Sequence, residues 1–292
     1  MTLPRFEYFA PESLEEARQL LREKGDGAHL LAGGTDLLVK MNHGLLKPKS
    51  VIALKHIKGL DGIRFEPREE GLKIGSTALL ATVASHPDVL KHYPAVAAAA
   101  RETANVQIRN MGTVAGNLCN AAPSADNAPT LLALNAEVVI GGLEGERRLP
   151  LEDFFKGPGQ TALEPGEILT AIVAPPPVPH SGVSYQHISA RGKVDISAVC
   201  VGVMVLMDQE ICQEARIFLG AVGPTPLRAE KAEEAIRGQA MTEERIEKAG
   251  SLASDASRPI TDVRSSMEYR KQMTAVLTRR ALREARDRAM NS

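Results

Sequence analysis

The chain has 292 residues, room for two domains of about 150 each, and 43% of them are hydrophobic, which excludes an intrinsically disordered chain. Its 35 basic and 36 acidic side chains leave a net charge of −1 with no basic stripe, and only 3% are aromatic with no Trp, so nucleic acid is excluded as the main partner. Cys119, Cys200 and Cys212 are odd in number and far apart, with no metal-knuckle spacing, which argues against a disulfide framework and for a reducing cytoplasm.

In chain order, Met1 to Glu7 lacks the basic-then-apolar pattern of an export signal. Ser13-Leu14-Glu15-Glu16 reads as a capping box, the Ser13 hydroxyl accepting from the Glu16 amide and the Glu16 carboxylate returning the bond. Leu14, Ala17, Leu20 and Leu21 continue at helical spacing until Gly25 ends the helix. His29 to Ala32 reads as a short buried strand, and Leu37 to Met41 as a helical turn beyond the loop it delivers. Val51 to Leu54 and Leu72 to Gly75 are two more strands, Thr77 caps a helix through Val83, and Pro94 to Ala104 is an alanine-rich helix. Strands at Glu137 to Ile140 and Glu167 to Val173 complete a first domain.

Pro175-Pro176-Pro177-Val178-Pro179 marks the domain boundary, because consecutive prolines cannot donate to a helix or sheet ladder. Gly182 to Ser189, Ser197 to Leu206 and Gln213 to Leu219 then have the pattern of three antiparallel strands. The longest apolar run, Ile196 to Met207, falls short of the about 20 residues that a membrane span needs. Pro226 is expected to start a helix through Arg237, and Thr242 to cap another. The last helix presents Met273, Val276, Leu277 and Ala281 on one face. Arg270, Lys271, Arg279, Arg280 and Arg283 fall largely on others, as a solvated face or a subunit contact.

Two glycine-containing loops about eighty residues apart carry most of the functional signal. One is Ala32-Gly33-Gly34-Thr35-Asp36-Leu37-Leu38; the other is Gly112-Thr113-Val114-Ala115-Gly116-Asn117, followed by Ala122-Pro123-Ser124-Ala125-Asp126-Asn127-Ala128-Pro129. Both are nearly free of basic side chains, and glycine lets backbone N–H groups come close to a pyrophosphate. Two such loops on one extended ligand suggest a dinucleotide held from both sides. Neither is G-x-G-x-x-G, and no G-x-x-x-x-G-K-[ST] stretch occurs. Taken alone, Gly33-Gly34 also reads as a strand-ending turn. Asp36, an anion, is expected to cap the helical turn at Leu38 rather than to touch phosphate.

Together the loops resemble those of the FAD-binding medium subunit of the molybdenum hydroxylases, the family of xanthine dehydrogenase, carbon monoxide dehydrogenase and 4-hydroxybenzoyl-CoA reductase. Gln107-Ile108-Arg109-Asn110 leads into the second loop as in that family. Tyr185 to Asp195 is similar to its F-x-K-x-x-x-R-x-x-x-D segment. Gly223-Pro224-Thr225-Pro226-Leu227-Arg228-Ala229 resembles its turn into a helix, and Asp262-Val263-Arg264-Ser265-Ser266 the signature before its last helix. The resemblance spans essentially the whole chain.

It implies an α+β chain. Residues 1–175 would form a two-subdomain FAD-binding domain of the p-cresol methylhydroxylase type, and residues 180–292 a smaller domain of a three-stranded antiparallel sheet with helices. It also implies that FAD is held by Leu30, Leu31, Ala32, Gly33, Gly34, Thr35, Asp36 and Leu37 on one side. Gly112, Thr113, Ala115, Gly116, Asn117, Ser124 and Asp126 would hold it on the other. Ile168 and Leu169 match the family position that packs against the ring system, and they read equally well as ordinary core. His187 stands where the family commonly has Lys near the flavin; a cation there favours negative charge on the reduced ring, and His is charged only part of the time near pH 7. The other reading of His187 is a plain strand histidine.

The family usually has a double Gly before Asn117, here Ala115-Gly116, which is tolerable if φ at Ala115 is negative. A carboxylate at Gly33 or Gly116 is expected to abolish binding by facing the pyrophosphate. Cys119 reads as a small buried hydrophobe. No metal pattern is visible, and three scattered cysteines cannot supply the four thiolates of an additional iron–sulfur cluster. No nucleophile–base motif stands out, so the resemblance implies an electron-transfer subunit. FAD would take electrons from a [2Fe-2S] small subunit and pass them to NAD or another acceptor, while a molybdopterin-containing large subunit oxidises the substrate. The rivals are a self-sufficient FAD-dependent oxidoreductase with its own small substrate, and an assembly subunit that binds FAD weakly.

Overall fold

The computed structural model of the chain describes residues 3–142, 145–191 and 195–291. Met1 and Thr2 of the N-terminal stretch, the 192–194 part of the Tyr185–Asp195 segment, and Ser292 lie outside the described residues. The first sheet is small and parallel, with Ser50–Ala53 between Glu7–Phe9 and Ala28–Leu31. Its central strand is buried at every residue, as a strand covered on both faces must be. Helix Leu14–Lys24 makes the crossover. The Glu16 amide donates to Ser13 Oγ at 3.1 Å, but the Glu16 carboxylate accepts from Glu12 rather than from Ser13. Gly25, at φ 58°, ends the helix.

The second sheet is antiparallel, in the order Ile63–Glu66, Gly71–Gly75, Ile168–Ala174, Glu137–Gly142, Gly145–Pro150. Ile168–Ala174 runs through its middle, buried throughout. Against it lies a core of Leu72, Ile74, Val83, Val96, Leu118, Leu131 and Phe154, each aliphatic side chain contributing about 1.5–3 kcal/mol by leaving water. The helix predicted from Thr77 starts three residues later, as Leu80–Ser85. The reason is local: the Thr77 amide donates to Leu60 O and the Leu80 amide to Gly112 O, so the segment between is held extended.

The third sheet is the expected meander of Ser181–Ser189, Ser197–Asp208 and Ile211–Gly220. Two-residue strands Leu227–Arg228 and Gln239–Ala240 extend its last strand. The first of these corrects the helix expected from Pro226. Residues 227–228 pair with Leu219 and Phe218, and the Ala229 amide donates to Ile217 O, so only Glu230–Glu234 is helical. Thr242 does cap Glu243–Ala256, through the Arg245 amide. Helix Met267–Met290 covers one face of the sheet with Leu277, Ala281, Leu282 and Ala285, and Glu243–Ala256 packs against that helix. Arg270 departs from the expected solvated face. It is 4% exposed, and its guanidinium donates to Ala198 O, Ala221 O and Asp262 Oδ1 at 2.8–2.9 Å. A buried cation persists only with such partners.

The other face of this sheet is pressed onto the first domain. The alanine-rich helix Pro94–Glu102 serves both sides. Val96, Ala97 and Ala100 belong to the first core, while Ala95 and Ala99 pack with Tyr185 and Cys200 of the third sheet. Small side chains permit two close faces on one helix. Helix Asn127–Ala133 comes closer still, since a Cβ on Gly202 would lie 2.4 Å from the Pro129 carbonyl carbon and oxygen. Among the described residues no helix is long and apolar enough to cross a membrane.

Gly202→Val should therefore lower stability by about 1–3 kcal/mol through overpacking against backbone that cannot yield. Thermal unfolding followed by circular dichroism reads this, and an unchanged midpoint would contradict so close an approach.

Candidate cofactor site

The two glycine loops meet at Gly33. A Cβ there would sit 2.1 Å from Met111 O and 2.7 Å from Gly112 Cα, so the loop backbones touch and only glycine fits. Where they meet, a cavity of about 760 Å³ opens. Leu30, the run from Ala32 to Leu37, and Gly112, Thr113, Ala115, Gly116 and Asn117 all line it. So do Ser124, Asp126, Ile168 and Leu169. Of the residues singled out from sequence, Leu31 and His187 do not. Leu31 packs beneath the loop, where its Cδ1 would lie 2.9 Å from a Cβ on Gly34. A substituent on Gly33 would likewise meet the second loop rather than a ligand, which replaces the expected reason for its intolerance.

Hydrogen-bond donors dominate the loop wall. No acceptor for the amides of Gly33, Gly34, Thr35, Asp36 and Leu37 is found among the described residues. Five consecutive N–H groups without a protein acceptor beside a cavity are donors of the kind an anion requires. Asp36 does not cap the following helix; its own backbone is already helical, at φ −103° and ψ −45°, and capping needs an extended residue. Its Oδ1 accepts from Asn120 Nδ2 at 3.1 Å, and Asn120 Oδ1 accepts from Lys40 Nζ at 2.7 Å. Burial pushes the Asp36 carboxyl up, with Lys40 opposing. Lys40, a cation on the cavity wall, escaped the sequence reading, although its i, i+4 relation to Asp36 was there to be read.

On the second loop, Thr113 Oγ1 accepts from the Gly116 amide at 2.9 Å and so caps helix Val114–Cys119. Ala115 lies inside that helix, with negative φ, so its methyl is accommodated. Asn127 Nδ2 donates to Asn117 Oδ1 at 3.1 Å and to Thr103 Oγ1, which turns the Asn117 amide. Its Nδ2 then has no partner among the described residues. Arg109 does not line the cavity. It donates to the carbonyls of Thr103 and Ala104 and holds the turn at Ala104, whose φ of 49° is unusual for a residue with a Cβ. Nδ1 of His29 and Oγ of Ser76, both on residues of the cavity wall, are buried without a partner. Such atoms are rare in folded proteins unless something else completes them.

Asp126 is the buried carboxylate of the opposite wall. Its Oδ1 accepts from Tyr185 OH at 2.8 Å and from Ser197 Oγ at 2.5 Å. Burial pushes its carboxyl up, opposed by those two bonds and by His187. His187 stacks on Tyr185, with Nδ1 3.2 Å from Ser197 Oγ and Nε2 3.3 Å from Glu102 Oε2. Glu102, His187 and Ser197 thus have the spacing of a hydrolase triad. Yet Ser197 is 2% exposed and gives its hydrogen to Asp126, so it is no nucleophile. Burial pushes the Cys119 thiol to about 12, which leaves it inert. Among the described residues no group of side chains could hold a metal ion.

Residues 4–177 match the family described as the FAD binding domain in molybdopterin dehydrogenase, and residues 184–285 the CO dehydrogenase flavoprotein C-terminal domain. The nicotinate dehydrogenase FAD-subunit of Eubacterium barkeri is 34% identical over 91% of both chains. The carbon monoxide dehydrogenase medium chain of Afipia carboxidovorans is 34% identical over 98% of both. Among solved structures, carbon monoxide dehydrogenase from Hydrogenophaga pseudoflava, in a form lacking the Mo-pyranopterin moiety of its cofactor, superposes with a TM-score of 0.94. It is 34% identical and covers 99% of each chain. The cavity suits FAD: open amides for the pyrophosphate, a carboxylate for a sugar or ribityl hydroxyl, and Leu54, Ile168 and Leu169 for a flat apolar ring.

Gly33→Ala should leave the purified chain with less than about a tenth of the wild-type bound FAD, since one methyl must part the two loops. Gly62→Ala, whose methyl would meet only Gly59 O at 3.5 Å, should keep its flavin. Flavin absorbance per chain compares them, and full yellow colour in Gly33→Ala would refute the loop contact.

Proposed function

The chain belongs to the FAD-binding medium subunits of the molybdenum hydroxylase family, and from that premise we propose that it relays electrons within a three-part complex. A [2Fe-2S] small subunit delivers them, and FAD passes them to NAD or another acceptor. A molybdopterin-containing large subunit oxidises the substrate. The observation that carries the reading is the row of five unpartnered amides from Gly33 to Leu37 facing Asp126 across one cavity. When bound, FAD supplies the capacity to take and release electrons; the chain supplies binding and tuning. In this reading the amides from Gly33 to Leu37 hold the pyrophosphate, Asn117 Nδ2 donates to a phosphate or carbonyl oxygen, and the free Oδ2 of Asp126 accepts a ligand hydroxyl. Ile168 and Leu169 pack against a ring face and keep water from it. The three free cysteines, Cys119, Cys200 and Cys212, suit a reducing cytoplasm.

Reconstitution tests this. With the subunits encoded beside it, the chain should show substrate-dependent flavin reduction that appears only when both partners are present. Fast reduction by an organic substrate in the isolated chain would favour a self-sufficient flavoprotein instead. A chain that takes up no FAD at micromolar concentration would leave only an assembly role.

A further inference from the structure

We propose that Glu102, His187 and Ser197 are positioning residues that set the charge on Asp126, so that FAD binding is linked to a proton held on His187. This rests on the reading of the cavity as an FAD site.

The hydrogens can be assigned by elimination. Tyr185 and Ser197 each have one hydroxyl hydrogen, and both hydroxyls reach the same Asp126 oxygen. Burial and the Asp126 charge hold the Tyr185 phenol protonated. Asp126 Oδ1 therefore accepts twice and carries no hydrogen itself. Ser197 Oγ, its hydrogen committed, can only accept from His187, so Nδ1 carries a hydrogen. Nε2 then faces Glu102 Oε2 at 3.3 Å. Two lone pairs cannot share that gap, and a proton between them makes an imidazolium–carboxylate pair.

His187 thus stands between two carboxylates, Glu102 directly and Asp126 through Ser197. Among the described residues, the charged and titratable groups nearby are already engaged: Arg270 donates to Ala198 O, Ala221 O and Asp262. Cys200, opposite His187 across the strand pair, is held protonated by burial. Arg109 is committed to the Thr103 and Ala104 carbonyls, and Asp195 is paired with Arg191. Loss of the His187 proton would leave two uncompensated carboxylates, one of them lining the cavity that receives a dianionic ligand, across from the Gly33–Leu37 amides. Binding therefore favours the protonated ring, and by reciprocity binding draws a proton in.

The experiment measures FAD affinity of the full apo chain by flavin fluorescence quenching and by calorimetry in buffers of differing ionisation enthalpy. The wild-type Kd should rise by about tenfold between about pH 6 and about pH 8.5, the interval in which an imidazole loses its charge, with net proton uptake on binding. His187→Lys should be flat at the tight level and His187→Gln flat at the weak level, each without proton uptake. Glu102→Gln should move the weakening to lower pH, and Ser197→Ala should shrink it. A flat wild-type profile, or a slope that survives His187→Gln at wild-type melting temperature, would overturn the linkage. If His187→Gln fails to fold, Glu102→Gln decides, an unmoved profile counting against the proposal. Absence of FAD binding at every pH would instead sink the site assignment itself.

Discussion

The contact of two loop backbones at Gly33 sets the geometry of everything around it. With 2.1 Å between the place of a Cβ and Met111 O, no side chain can stand there. The loops are consequently fixed against one another before any ligand arrives. That fixing matters because amide dipoles bind an anion well only when they need no reorganisation. The parallel sheet delivers the first loop from Ala28–Leu31, and Leu80 of the second subdomain clamps the other through Gly112 O. The cavity is thus a seam between two subdomains, the place where preformed ligand sites commonly lie.

The C-terminal domain contributes less to the lining than to its rigidity and charge. Gly202 lets helix Asn127–Ala133 lie against the sheet, and that helix begins at the residue after Asp126. Tyr185 and Ser197 then reach across the domain junction to the Asp126 carboxylate. Removal of this domain would expose apolar faces of both Pro94–Glu102 and the sheet, and would leave a buried carboxylate without its donors. The two domains are therefore one functional unit even though the proline run separates them in sequence.

Much of this was legible in the residues. Strand boundaries in the meander were right to within about two residues, because alternation and Gly or Asp flanks are local signals. The loops were legible because glycine pairs beside apolar runs are unusual, and their joint order pointed to one ligand. What failed was long-range. Arg270 reads as a surface residue until the carbonyls of Ala198 and Ala221, far away in sequence, claim its guanidinium. Pro226 reads as a helix start until Ile217 captures the Ala229 amide. His187 reads as a flavin neighbour by its place in a motif. Its actual partners come from residues 85 positions upstream and 10 downstream, which periodicity cannot reveal. Asp36 failed for the opposite reason: its own φ and ψ, a purely local matter, remove it from the capping role that its chemistry suggests.

Charge at the site is balanced in a way that composition hides. Three carboxylates line a cavity suited to a dianion, an arrangement that looks repulsive. Each has a basic side chain within reach: Asp36 has Lys40 through Asn120, Asp195 has Arg191 directly, and Asp126 has His187 through Ser197. The amides from Gly33 to Leu37 are neutral dipoles, so that part of the wall adds no formal charge to a partly buried space. His187 sits behind the most deeply buried of the three carboxylates. The donors that meet the Asp126 carboxyl, Tyr185 OH and Ser197 Oγ, both come from the C-terminal domain, so the most deeply buried of the three carboxyls depends on the domain junction for its hydrogen bonds.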